Sequence, residues 1–140
     1  MKILIVDDSI AQRTMLKTIL SSHGECHLEP DGAKGLLAFV QAFDMGKPFD
    51  LVVMDIMMPE MDGHTAVKKI VQIMDKSNNP NSKRAKILML SSRSDPEDML
   101  KAQFENKADS YLIKPVNQAT LTEALCNLGL ISSPCKEYLD

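Results

Sequence analysis

The stretch DLVVMDIMMPEMDG, Asp50 to Gly63, decides the fold. Leu51 to Met54 is an uninterrupted apolar run, long enough for a strand and too short for most helices. Such runs are typical of strands covered by helices on both faces. The run stops abruptly at Asp55, and Pro59 and Gly63 then punctuate a loop. A carboxylate at the carboxyl end of a buried strand lies where open parallel sheets place their ligands. Asp55 is therefore read as a reactive group on a rigid base.

Working outward, Ile3 to Val6 is a first apolar run that stops at Asp7, Asp8 and Ser9. A helix follows, with Ile10, Leu16, Ile19 and Leu20 near helical spacing, Arg13 and Lys17 on its outer face, Asp8 or Ser9 as cap and Gly24 at its end. Cys26 to Glu29 alternates weakly as a second strand, and Pro30, Asp31 and Gly32 mark a turn. Leu36, Val40 and Phe43 give a second amphipathic helix, broken by Gly46 and Pro48. After the opening stretch, Ala66, Val67, Ile70, Val71 and Met74 form a third helical stripe. Ser77 to Arg84 reads as a polar surface loop, and Ile87 to Leu90 as a fourth strand ending in Ser91 and Ser92. Asp95 to Asp98 looks like a helix start with a cap, a proline and first-turn acids. This fourth helical segment, to about Glu105, carries a thin apolar face of Met99, Leu100 and Phe104. Ser110 to Ile113 is strand five. Leu121, Ala124, Leu125 and Leu128, capped by Asn117, make the fifth helix. Five strands alternating with five helices imply an α/β fold: a parallel sheet with right-handed crossovers and helices on both faces.

Bulk properties narrow the function. A chain of 140 residues with 44% hydrophobic and 25% charged residues fits one globular domain. The formal charge of −3 argues against a general nucleic-acid binder, and Lys83, Arg84 and Lys86 read as a solvated cluster. No signal peptide or membrane span is expected. Cys26, Cys126 and Cys135 share no metal-ligand spacing and are read as free thiols of a cytoplasmic protein, and His23, His27 and His64 are too scattered for a zinc site. His64 is assigned to the surface at a helix start. Met57, Met58 and Met61 are read as gap-filling packing.

In a parallel sheet every strand's carboxyl end faces one edge. Asp7, Asp8, Asp55, Ser91, Ser92 and Lys114 all arrive there. Three carboxylates in one pocket repel, which raises a pKa or demands a cation. A hard divalent ion answers that demand, and Mg²⁺ is the usual choice where phosphate also binds. With a lysine and a hydroxyl alongside, Asp55 is placed to act as a nucleophile toward a phosphoryl group.

The segments ILIVDDS, EPDGAKGLLAF, DLVVMDIMMPEMDG, ILMLSSRSD and KADSYLIKPV together resemble the receiver domain of bacterial two-component response regulators, from about Lys2 to Leu128. The resemblance implies strand order 2-1-3-4-5 in a flavodoxin-like receiver fold. It also implies that Asp55 accepts phosphate from the phosphohistidine of a sensor histidine kinase or phosphotransfer protein. Mg²⁺ would be bound by Asp8, Asp55 and the backbone carbonyl of Met57, with Asp7 acting through water. Lys114 would pair with the carboxylate and then the phosphate, across a cis Lys114–Pro115 bond. Ser91 and Tyr111 would form the switch, and the fourth helix, fifth strand and fifth helix the face that meets a downstream target. Such a module catalyses its own phosphoryl transfer and autodephosphorylation while acting mainly by binding. Residues 129–140 are read as a short tail with no output domain, which makes the chain a stand-alone receiver, or alternatively one excised from a hybrid kinase. Lys107 departs from the glycine usual before Ala108. A Mg²⁺-dependent aspartyl phosphatase of the haloacid dehalogenase type is disfavoured, because Met57 stands where its second aspartate belongs.

Overall fold

The computed structural model describes residues 1–58, 61–77, 84–92, 101 and 107–132. Strands β1 (Lys2–Val6), β2 (Glu25–Glu29), β3 (Leu51–Asp55), β4 (Lys86–Ser91) and β5 (Ser110–Ile113) form one sheet. All neighbours pair in parallel, in the order β2-β1-β3-β4-β5. The described helices are α1 (Ile10–Leu20), α2 (Gly32–Asp44), α3 (Gly63–Asp75) and α4 (Gln118–Asn127). The helix expected from Asp95 to Glu105 lies, apart from Lys101, outside the described residues.

Period-two alternation divides the core between the sheet's faces. Leu4, Val6, Val52, Met54, Ile87 and Met89 face α2 and α3, while Ile3, Ile5, Leu51, Val53, Leu88 and Leu90 face α1 and α4. Every residue of β3 is buried, which explains why it reads as a continuous apolar run rather than an alternating one. No described helix is long and apolar enough to cross a membrane.

Each described helix starts on a side chain that satisfies a free backbone N–H. Ser9 accepts from Gln12, Asp31 from Lys34, Asp62 from Thr65, and Asn117 from Thr120 in a reciprocal capping box. At the end of α4, Gly129 adopts φ +75°. Its N–H donates to Cys126 O, and that of Leu130 to Leu125 O, the double bond of a Schellman turn. Leu130 and Ile131 thereby fold back onto the α1/α4 core, so packed chain continues past Leu128.

Several helix faces differ from the sequence reading. Ile10 is 73% exposed, and α1 buries Leu16 and Leu20 instead. The helix stops at Leu20, short of Gly24. Gly24 serves a different purpose: a Cβ there would overlap the Met1 carbonyl, which accepts from Glu25 N–H as β2 begins. On α2 the buried stripe is Gly35, Phe39 and Ala42, with Leu36 and Phe43 only partly covered. Gly35 leaves room for Val6, which rotates the helix toward its smallest residue. His64 is 4% exposed rather than superficial, because the first turn of α3 lies flat on the end of β3.

Lys107, where a glycine was expected, adopts φ +55° in the left-handed region. This conformation costs a side-chain-bearing residue about 1–2 kcal/mol. Lys107 Nζ is 3.8 Å from Asp75, an exposed pair that offsets little. Replacing Lys107 by glycine is expected to stabilise the fold by roughly 0.5–1 kcal/mol after the added unfolded-state freedom is counted. Urea unfolding would register this as a higher midpoint at unchanged slope.

Candidate functional site

Register alone brings the acids together. Val6 pairs with Met54, so the residues that follow, Asp7 and Asp55, emerge side by side at the carboxyl edge. Ser91 ends β4 opposite Ile113, which delivers Lys114 one residue later. The Lys114 N–H donates to the Ser91 carbonyl at 2.6 Å, and the Lys114–Pro115 bond is cis.

Asp7, Asp8 and Asp55 each offer a carboxylate oxygen within 4.8 Å of the others; Asp7 and Asp55 are buried and Asp8 is exposed. The Lys114 ammonium lies 2.9 Å from Asp7 Oδ2 and 3.2 Å from Asp55 Oδ1. The sequence reading paired Lys114 with Asp55 alone; here it bridges both acids, and its shorter bond is to Asp7. The other Asp7 oxygen, Oδ1, accepts from Ser9 N–H at 3.0 Å. With both oxygens engaged by the chain, Asp7 is poorly disposed to ligate an ion directly, while Asp8 faces solvent. The carboxylates of Asp8 and Asp55, with Asp7 held behind them, are hard oxygen donors of the kind that suit Mg²⁺.

Ser91 is fully buried at the strand end. Tyr111 is partly buried against the α2/α3 core. Met57 is 47% exposed two residues beyond Asp55, and Met58 and Met61 pack partly into the core. Pro59 lies outside the described residues. Gly63 is more than a helix starter: its N–H donates to Ile56 O at 2.9 Å, and a Cβ there would run into the Asp55 carbonyl and the Ile56 backbone.

One residue of the site escaped the sequence reading. Arg13, assigned to the outer face of its helix, turns back so that Nη1 donates to the Asp7 carbonyl at 2.7 Å. The only signal available was its position four residues after the cap Ser9, which puts both on one helix face.

Burial, then the negative charge of Asp7, pushes the Asp55 carboxyl up to about 6, against the opposing pull of Lys114 and with a further push from Asp8. Burial works against the Lys114 ammonium, yet its bond to Asp7 and the charges of Asp55 and Asp7 hold its pKa above the ordinary value.

One outcome follows from this electrostatic balance and a second from the close packing at Gly63. An unfolded Asp55 ionises near 3.8 and the folded one near 6. The charged form therefore penalises the metal-free fold, not at all below the lower value and fully above the upper. The shift corresponds to roughly 3 kcal/mol, which solvent entering past Asp8 reduces by screening. Asp55→Asn in chelator is thus expected to gain about 1–2 kcal/mol at pH 7.5 and progressively less toward pH 4, as thermal melts across that range would record. Gly63→Ala, whose methyl meets only backbone, is expected to cost about 1–3 kcal/mol and to weaken Mg²⁺ binding measured by calorimetry.

The family described as response regulator receiver domain matches residues 3–126. The chemotaxis protein CheY of Bacillus subtilis is 36% identical over 124 residues, covering 89% of this chain and 93% of its own length. The sensor histidine kinase TmoS of Ectopseudomonas mendocina is 32% identical over 127 residues, covering 91% of this chain but 12% of the kinase. Among solved structures, the response regulator protein TrrA of Thermotoga maritima, in complex with Mg²⁺-BeF, superimposes with a TM-score of 0.73 at 28% identity, over 93% of this chain and 98% of that one. With the family matched over nearly its whole length, and the strand order and acid pocket to go with it, the chain belongs to the receiver domains of two-component response regulators.

Proposed function

We propose that Asp55 is the phospho-acceptor and that the chain acts as a phosphorylation-switched binding module. The observation that carries this reading is the Asp7, Asp8 and Asp55 trio with the Lys114 ammonium 3.2 Å from Asp55 Oδ1. An Asp55 carboxylate oxygen attacks the phosphorus of a phosphohistidine. The P–O bond forms as the P–N bond breaks, and the departing imidazole nitrogen keeps the electron pair and takes a proton. Lys114 holds the carboxylate in place beforehand and meets the phosphoryl oxygens afterwards. Asp8, Asp55 and the Met57 carbonyl would hold Mg²⁺, with Asp7 acting through water, and the ion would supply charge neutralisation at the phosphoryl oxygens. TrrA in complex with Mg²⁺-BeF supports this assignment, since a receiver of the same fold takes that ion.

Ser91 then turns toward the phosphate and Tyr111 follows, which shifts the population toward the active face. That face comprises the segment 95–105, β5 and α4. Supporting it, β5 is an edge strand of the sheet and its Ile113 is 44% exposed. The donor is a sensor histidine kinase or phosphotransfer protein, the target is a protein, and the setting is cytoplasmic. We favour a stand-alone receiver, because the match to Bacillus CheY runs nearly end to end. The match to part of TmoS supports the second reading, a receiver from a hybrid kinase.

Acetyl phosphate with Mg²⁺ is expected to give one phosphoryl adduct by intact mass. Asp55→Asn should abolish it, and Lys114→Ala should slow its formation by at least about tenfold, in line with the loss of one positioned charge in a phosphoryl site. An unmodified wild-type protein that is folded and binds Mg²⁺ would sink the assignment.

A further inference from the structure

We propose that Arg13 is a positioning residue for the cation site: its guanidinium, seated on the Asp7 carbonyl, holds the Asp7–Asp8 peptide so that the Asp8 carboxylate stays aimed at the pocket. The inference rests on the reading of the acid trio as a Mg²⁺ and phosphoryl site.

Asp7 is gripped on every polar atom. Its N–H donates to Glu29 O at 3.2 Å, Oδ1 accepts from Ser9 N–H and Oδ2 from Lys114 Nζ, and its carbonyl accepts from Arg13 Nη1 at 2.7 Å. Asp8 is in the opposite condition. It is exposed, and among the described residues no hydrogen bond holds its carboxylate. Among the described residues, the backbone that bears it is what sets the direction of that carboxylate. The Asp7 carbonyl belongs to the peptide that leads into Asp8, and Arg13 is the side chain bonded to it. A guanidinium suits this role because its planar fork fixes the direction of each bond, whereas a lysine ammonium rotates freely. Partners that orient a metal ligand from behind typically set 10–100-fold of its affinity.

The test uses the full chain and two variants. Arg13→Met keeps the apolar stem and removes the donor and the charge; Arg13→Lys keeps a charge and one donor. Magnesium affinity is measured by calorimetry, and Asp55 adduct formation from acetyl phosphate by intact mass along a Mg²⁺ series. Arg13→Met is expected to bind Mg²⁺ about tenfold more weakly. Its adduct midpoint should move by the same factor, while its rate at saturating Mg²⁺ stays within about twofold of wild type. Arg13→Lys should recover part of the affinity. A merely structural role would lower the melting temperature without this recovery at high Mg²⁺. Unchanged Mg²⁺ affinity in Arg13→Met, or a rate loss that saturating Mg²⁺ does not restore, overturns the assignment while leaving the phospho-acceptor reading intact. A wild type that neither binds Mg²⁺ nor forms the adduct removes both.

Discussion

Three carboxylates meet within 4.8 Å at the edge of this sheet, and the ammonium of Lys114 is what lets two of them be buried there. Unpaired, Asp7 and Asp55 would each face a desolvation cost and the repulsion of the other. Bridged by Lys114 at 2.9 and 3.2 Å, they remain close together in a pocket that has more negative than positive charge. Burial first, and then that residual negative charge, leaves the Asp55 carboxyl raised to about 6. The same hard, negative oxygen donors suit a divalent cation. The cluster costs the fold stability, as an electrostatically unfavourable arrangement of buried acids must.

Much of the rest of the architecture keeps that cluster in place. Parallel pairing of β1 with β3 sets Asp7 beside Asp55, and a slip of one residue would send one of them to the opposite face. The strands beneath are buried on both sides by helices, so their ends cannot drift. Gly63 permits α3 to begin against the Asp55 carbonyl, and Gly35 lets α2 settle over Val6 just below Asp7. Position and charge are thus fixed by backbone packing, with few side chains free to compensate for an error.

The same logic explains which substitutions the molecule tolerates. Lys107 occupies a left-handed conformation at the entrance to β5, far along the chain from the acids, and the strand after it still runs Ser110–Ile113 with its lysine delivered to the pocket. A strained turn at the opposite edge of the sheet costs stability without disturbing the site. At Gly63 there is no such latitude, because the backbone that a side chain would displace carries Asp55 itself.

Read by itself, the sequence was sufficient for the strands, the four described helices between and after them, and the convergence of Asp7, Asp8, Asp55, Ser91 and Lys114. Each of these depends on local patterning: apolar runs of strand length, punctuation by Gly and Pro, and polar residues where a run stops. Strand order came from family likeness, since periodicity carries no information about which strands are neighbours. Only the tertiary structure decided that Ile10 faces solvent, that His64 is buried, that α2 turns Gly35 and Phe39 inward, and that Lys114 bridges two acids rather than pairing with one. It alone turned Arg13 from an outward-facing charge into a partner of the Asp7 backbone. These outcomes are set by how close one backbone can approach another and by where a long side chain finds an acceptor. Most of them depend on residues distant in sequence, and even the short-range bond from Arg13 to Asp7 depends on a side-chain direction that an apolar pattern does not encode.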